Sequence, residues 1–258
     1  MGVVNVTPDS FSDGGAYRDA AHAADEAEAL AAAGAALLDV GGESTRPGAR
    51  PVSAAEEIDR VVPVIEALAG LPTPVSVDTS KPEVMRAAVA AGARMINDVK
   101  GLQAPGALEA AAELGVPVCL MHMQGEPRTM QQAPRYGDVV EDVYGFLNRR
   151  VAACVAAGIP RRRLVIDPGF GFGKTLAHNL TLLKHLDRFA QAGLPLLVGV
   201  SRKSLIGAVL DRPVGERLAG SLALACHAAA HGANILRVHD VGPTVEALAM
   251  LAAVAGAD

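Results

Sequence analysis

Polar side chains that could do chemistry recur at one kind of position along the chain. Asn5, Asp39, Asp78, the pair Asn97 and Asp98, His122, Asp167, Ser201 with Lys203, and Arg237 with His239 each close or directly follow a short apolar run. A single Asp there reads as an ordinary cap or turn residue, but such residues at every run exceed what capping explains. Asp39, Asp78 and Asp167 with Asn97 would make a rigid set of acceptors for a flat heterocycle that displays a row of N–H donors. The Asn amide adds a donor and an acceptor, and Lys203 can reach a ring oxygen or nitrogen. Arg46, Arg237 and His239 form a cationic group suited to a phosphate or diphosphate. The side-chain oxygen of Asn5 could help hold Mg²⁺ between diphosphate oxygens, because Mg²⁺ needs few protein ligands. Acceptors on one side and an anion clamp on the other imply transfer from a heterocyclic diphosphate ester.

The apolar runs are the elements that must position these groups. They begin at Gly2 (GVVNV), Ala36 (ALLDVGG), Val75 (VSVDT), Arg94 (RMIND), Pro117 (PVCLMH), Leu164 (LVIDP), Leu194 (LPLLVG) and Ile235 (ILRVHD). They contain few polar residues until their last one or two positions, as strands buried on both faces of a parallel sheet do. Between them, residues 19–33, 54–68, 82–91, 106–114, 138–157, 178–191, 215–231 and 244–254 read as helices, and Gly34, Gly92, Gly115, Gly158, Gly193 and Gly232 follow as C-terminal caps. Strand and helix alternating in this way predict a single-domain α/β chain, residues 1–258, folded as a (β/α)₈ TIM barrel with its site at the C-terminal face of the strands. A doubly wound open sheet is the alternative, because periodicity does not show whether a sheet closes.

Two connections, TPDSFSDGGAY after the first strand and GGESTRPGARPVS after the second, have the Gly, Pro, Ser and Thr content of lids. Phe11 in the first needs a surface to bury against, and a ligand is one candidate. The segment DPGFGFGKT imitates a nucleotide-binding loop, but Pro168 stands where that motif requires its first Gly, and GxGxG is not the dinucleotide spacing GxGxxG. What remains is a tight loop that brings Phe170 and Phe172 to the barrel mouth. His227 and His231 lie one helical turn apart but lack a third metal ligand. His22, His178 and His185 read as surface residues, and His122 as either a site residue or a hydrogen-bonded core histidine.

Composition excludes whole classes of function. The 258 residues carry 23 basic and 28 acidic side chains, a net charge of −5, with no Trp, three Tyr and five Phe, which leaves neither the basic footprint nor the stacking platforms of a nucleic-acid binder. No apolar stretch reaches the roughly 18 residues of a membrane span, and the start lacks a cationic signal region, which predicts a cytoplasmic protein. Three well-separated cysteines, Cys119, Cys154 and Cys226, are expected to be buried and reduced.

Taken as longer words, these segments resemble the dihydropteroate synthases, folate-pathway enzymes inhibited by sulfonamides. The resemblance runs through NVTPDSFSDGG from Asn5, DVGGESTRPGA from Asp39, VDTSKPEV from Val77, IND from Ile96, LMHMQG from Leu120, DPGFGFGK from Asp167, SRKS from Ser201 and RVHDV from Arg237. It implies condensation of (7,8-dihydropterin-6-yl)methyl diphosphate with 4-aminobenzoate to 7,8-dihydropteroate. It further implies that Asp78, Asn97, Asp167 and Lys203 bind the pterin with Met121 packed on its ring, and that Thr45, Arg46, Arg237 and His239 hold the diphosphate. Phe11, Thr45, Pro47, Phe172, Ser201 and the stem of Lys203 would line the aminobenzoate slot, and Asn5 would help bind Mg²⁺. Lys203, Arg237 and His239 would be the catalytic groups, with no general base, since an arylamine is already a nucleophile near neutral pH. A homodimer is expected both from the family and from the segment Leu218 to Ala230, apolar nearly all round. The resemblance leads one to expect a further stretch before the first strand, often a hairpin, whereas the sequence begins almost at that strand, so either the start is truncated or the barrel floor is covered differently. The rivals are a pterin-binding methyltransferase, which would not need the diphosphate clamp, and an inactive pterin-binding paralogue, which would have lost lid or clamp; a glycosidase would want sugar-stacking Trp.

Overall fold

Eight strands do form, and they close. The computed structural model describes residues 1–6, 16–45, 49–127 and 129–257. The strands are β1 (Gly2–Asn5), β2 (Leu38–Gly41), β3 (Val75–Asp78), β4 (Met95–Asp98), β5 (Val118–Met121), β6 (Leu164–Asp167), β7 (Leu197–Val198) and β8 (Ile235–Leu236). All neighbours are parallel: β1 to β6 pair in sequence order, and β7 pairs with β8. Two bridges, Ile166 to Leu196 and Gly2 to Val238, join the two sheets into one ring. The Ile166 N–H donates to the Pro195 carbonyl at 3.0 Å and the Val3 N–H to the Val238 carbonyl at 3.1 Å. The barrel therefore stands and the open sheet is excluded.

The helices are α1 (Ala16–Ala32), α2 (Ala54–Ala67), α3 (Pro82–Ala91), α4 (Ala107–Leu114), α5 (Val139–Ala156), α6 (Leu176–Lys184), α7 (Asp187–Ala190), α8 (Ser204–Leu210), α9 (Leu218–Ala230) and α10 (Val241–Ala255). Their starts follow local chemistry. Ser53 accepts from the Glu56 N–H to begin α2, Asp138 accepts from Val140 and Glu141 to begin α5, and Thr175 and His178 cap α6 reciprocally. All six predicted cap glycines have positive φ, between 63° and 122°. Two expectations need correction. The helix predicted over 178–191 is two, because His185 leaves helical geometry (φ −113°, ψ 33°) and α7 is held separately, with Arg188 paired to Glu141 and stacked 3.7 Å over the Tyr144 ring. The helix predicted over 215–231 starts at Leu218, and α8 was not foreseen: seven residues are too few to show a helical period.

Strand residues alternate between two cores. The helix-facing set, including Leu38, Val40, Val77, Ile96, Leu120, Leu164 and Ile166, packs against Ala23, Ala27, Ala88 and Ala110, whose small side chains let the helices lie close. The lumen-facing set plugs the barrel with Met95, Cys119, Val165 and Leu197. Cys119 and Cys154 are buried, as expected, whereas Cys226 is only half-buried.

Candidate active site

Above the apolar plug the lumen-facing positions turn polar, and this change builds the site. The same parity that carries Met95, Cys119, Val165 and Leu197 carries Asn97, Met121, Asp167 and Gly199 one step further along β4 to β7. Asp39 and Asp78 occupy it on β2 and β3, and Arg237 and His239 at the end of β8. A cleft of about 440 Å³, counting its part open to solvent, is lined by Asp78, Asn97, Met121, Asp167, Lys203 and Arg237. Thr45, Phe172, Ser201 and His239 also line it. Phe11, Arg46 and Pro47 lie outside the described residues. Asn5 ends β1 half-buried, opposite Gly41 in the ladder, and is not part of that wall. Val99 and Gly199 also face the cleft and were not singled out in the sequence; the period of two would have found Gly199.

The expected separation of acceptors from cations is not what the fold builds. Arg237 spans two of the carboxylates, its Nε 2.6 Å from Asp39 Oδ2 and its Nη2 2.9 Å from Asp78 Oδ2. Asp39, fully buried, also accepts from Asn97 Nδ2 at 2.9 Å, which fixes the orientation of that amide. Asp39 is thus a hub beneath the cleft, and Asp78, Asn97 and Arg237 are the groups that face it. The field is strong because the charges are desolvated. Burial pushes the Asp78 carboxyl up to about 7 against the opposing pull of Arg237. It pushes Asp167 up as well, opposed by Lys203 and by the Gly169 N–H, 2.7 Å from Asp167 Oδ1. Lys203 is drawn down to about 8 by burial, opposed by Asp167. For Arg237 the two carboxylates outweigh burial and hold the guanidinium charged.

The loop after β6 explains its own composition. Gly169 and Gly173 have φ of 71° and 62°, and a Cβ on either would lie 1.9 Å and 2.3 Å from the carbonyl oxygens of His122 and Gln124. Only glycine lets this loop lie on the end of β5. From it Phe172 turns into the cleft, with Lys203 Nζ 4.7 Å from the ring centre. Lys203 also donates to the Phe170 carbonyl, so one ammonium serves both the cleft and the loop. Across the mouth, Ser201 Oγ lies 3.1 Å from His239 Nδ1 and accepts from the His239 N–H at 3.2 Å. On the β2 side, Lys81 pairs with Glu43 and Glu57 while Glu43 accepts from the Val52 N–H, tying down the connection that bears Thr45.

Two strand-end residues do not join the site. Asp98 and His122 have helix-facing parity. Asp98 accepts from the Lys100 and Leu102 N–H groups at 2.7 and 2.8 Å, closing its own turn. His122 is a core histidine, edge-on to Phe146 and 2.9 Å from Lys174 Nζ, with its ring held neutral by burial and the Lys174 charge, down to about 2. His227 and His231 stack at 4.1 Å and bond to backbone carbonyls.

Residues 1–239 match the family model described as pterin binding enzyme. The chain is 56% identical over 254 residues to the dihydropteroate synthase of Escherichia coli strain K12, covering 98% of this chain and 90% of the relative. Among solved structures, it superposes with a TM-score of 0.95 at 55% identity on the Xanthomonas albilineans dihydropteroate synthase with 4-aminobenzoic acid, covering 100% of this chain and 93% of that one. The same bacterial protein in complex with 7,8-dihydropteroate matches with a TM-score of 0.91 at 53% identity, over 100% and 94% of the two chains.

Proposed function

We infer the roles of the individual side chains from one premise: the chain belongs to the pterin-binding enzyme family, and within it to the dihydropteroate synthases. It is a transferase that joins 4-aminobenzoate to the methylene carbon of (7,8-dihydropterin-6-yl)methyl diphosphate, forming 7,8-dihydropteroate and releasing diphosphate. The observation that carries the residue assignments is the single cleft in which Asp78, Asn97, Asp167, Lys203 and Arg237 meet at the lumen-facing strand ends.

Asp167, Asn97 and Asp78 accept from the donor row of the pterin, Lys203 donates to its ring, and Met121 packs on its face. Fixed in advance by Asp39 and the Gly169 N–H, these groups need no reorganisation when the ring arrives. Arg237, His239 and Thr45, with Arg46, hold the diphosphate. As the methylene C–O bond breaks, its electron pair leaves with the diphosphate, and the electron-rich pterin carries the developing positive charge at the methylene. The 4-aminobenzoate nitrogen, aligned by Phe172, Ser201, Thr45 and the Lys203 stem with Phe11 and Pro47, attacks that carbon and then sheds its proton. Among the described residues no group of three or more His, Cys, Asp or Glu gathers to hold a metal ion. A Mg²⁺ here would be held by diphosphate oxygens, water and one neutral protein oxygen, a need that half-buried Asn5 at the barrel mouth fits. When bound, it would supply charge neutralisation of the departing diphosphate.

A homodimer is supported by the solvent-facing apolar side chains of α8 to α10 and the turn between them, Val209, Leu210, Val214, Leu218, Val245, Met250 and Val254. No helix among the described residues is long and apolar enough to cross a membrane, and the unpaired thiols suit a reducing cytoplasm. The test is diphosphate release from the pterin diphosphate with Mg²⁺, with and without 4-aminobenzoate, while dihydropteroate is followed in the same reaction. Product that requires 4-aminobenzoate is expected; pterin binding without product would overturn the assignment of the clamp and the slot.

A further inference from the structure

Outside the cleft, a second lysine is buried against the back of the same loop. Lys174 has 3% of its surface exposed. Its Nζ lies 2.8 Å from the Gly169 carbonyl, 3.0 Å from the Phe172 carbonyl and 2.9 Å from His122 Nδ1, with the His122 carbonyl further off at 3.4 Å. Three near acceptors match the three N–H donors of an ammonium. The His122 ring, kept neutral, is free to accept at Nδ1. Burial drives Lys174 well below its ordinary value, and Asp167 is the first charge to oppose this. A cation so desolvated is costly unless each of its hydrogen bonds is made.

The bonds it makes belong to a pattern. Every carbonyl from Gly169 to Gly173 receives a side-chain donor: Lys174 for Gly169 and Phe172, Lys203 for Phe170, Gln131 for Gly171, and Tyr136 for Gly173 at 2.7 Å. The loop is suspended between two ammonium groups, Lys203 inside the cleft and Lys174 behind it. Phe172, whose carbonyl Lys174 holds, is the aromatic residue this loop presents to the cleft.

We propose that Lys174 is a positioning residue for the second substrate: by holding the Gly169 and Phe172 carbonyls it sets the Phe172 ring as a wall of the aminobenzoate slot. This rests on the assignment of Phe172 to that slot. Lys174 touches neither substrate. Its loss moves the wall while Asp78 and Asn97, which project from strands and are held by Arg237 and Asp39, keep their places.

The experiment compares KM for 4-aminobenzoate, kcat and pterin diphosphate affinity in Lys174→Met and Phe172→Ala. A merely structural role lowers the folded fraction and hence the apparent kcat, leaving KM alone. The positioning role predicts a rise in the 4-aminobenzoate KM of about 10- to 100-fold in Lys174→Met, the scale of an ångström's misplacement, with pterin affinity changed less than about threefold. A raised KM in Phe172→Ala with a wild-type KM in Lys174→Met would overturn the inference alone. An unchanged KM in Phe172→Ala would overturn the slot assignment, and the inference with it. Should Lys174→Met yield no folded protein, Tyr136→Phe removes only the donor to the Gly173 carbonyl. A rise of about two- to fivefold in the same KM then supports the proposal, and no rise overturns it.

Discussion

Asn97 and Asp98 are neighbours on β4, both buried and both polar, yet they belong to different machines. Asn97 points into the barrel, bonds to Asp39 and faces the cleft; Asp98 points toward the helices and spends its carboxylate on two backbone N–H groups of its own turn. Asp167 and His122 repeat the contrast on β6 and after β5. One lines the cleft, and the other supports Lys174 behind a loop. The difference teaches that the C-terminal face of a barrel has two concentric rings of polar residues, separated by one step of the strand period. The inner ring lines the cleft and, on the proposed assignment, meets substrate, while the outer ring shapes the loops that surround it. Substitutions in the two rings should therefore separate activity from stability.

The sharpest break is Arg237→Ala in the inner ring. It removes the guanidinium that spans Asp39 and Asp78, leaving two desolvated carboxylates side by side. Stability is expected to fall by about 3–5 kcal/mol, the cost of orphaning a buried charge. Activity should fall by about 10²- to 10³-fold as the departing diphosphate loses its partner. Urea unfolding and steady-state kinetics on the same preparation check both. A variant that loses activity but no stability would show that the pair is dispensable to the fold.

Asp167→Asn is the cleaner inner-ring lesion, because the amide keeps the shape while it loses the charge and turns one acceptor into a donor. Pterin diphosphate should bind about 10- to 100-fold more weakly, the scale of a lost charged hydrogen bond, with thermal stability little changed. Unchanged affinity by calorimetry would contradict the ring assignment. Lys203 sharpens the same point through pH. Its ammonium titrates near 8 in the folded protein because burial disfavours the charge. On the proposed assignment of Lys203 to the pterin ring, the charged donor is lost as pH rises through that value, so kcat/KM for the pterin diphosphate should decline about tenfold per unit well above pH 8, following the free enzyme's titration. Lys203→Arg should lack this alkaline limb.

How much of this was legible in the sequence follows from the same geometry. Apolar runs ending in polar residues located all eight strands, because a strand buried on both faces leaves polar side chains nowhere to go but its end. Closure was not legible: it rests on the bridges Ile166 to Leu196 and Gly2 to Val238, whose residues look like those of any buried strand. Nor was ring membership seen, although the period of two carries it. Counting Asp98 and His122 with Asp78 and Asp167 treated the strand end as one place, when one residue's shift reverses the face. The Arg237 bridge to Asp39 and Asp78 joins residues far apart in the chain, and charge complementarity alone had set them on opposite sides. Lys174 belongs to the failed nucleotide motif, and nothing in GKT tells a phosphate ligand from a lysine that holds its own loop.

The smallest effect on activity, and the most telling for the two-ring reading, is expected from Asp98→Ala. Asp98 is fully buried and its carboxyl is raised to about 6 by burial, so it sits in surroundings as dry as those of the cleft. By burial and perturbed titration alone it would rank with Asp78 as a functional residue. Its partners say otherwise, because both oxygens are taken by the Lys100 and Leu102 N–H groups and none faces the cleft. Removing it strands two backbone donors and should cost about 1–3 kcal/mol of stability. Lys100 and Leu102 do not line the cleft and Val99 of the same turn offers it only an apolar side chain, so kcat/KM for both substrates should stay within about twofold at a temperature where the variant is folded. Denaturant unfolding with kinetics at 25 °C reads both, and a Asp98→Ala protein of near-native stability but badly reduced kcat/KM would collapse the distinction between the rings.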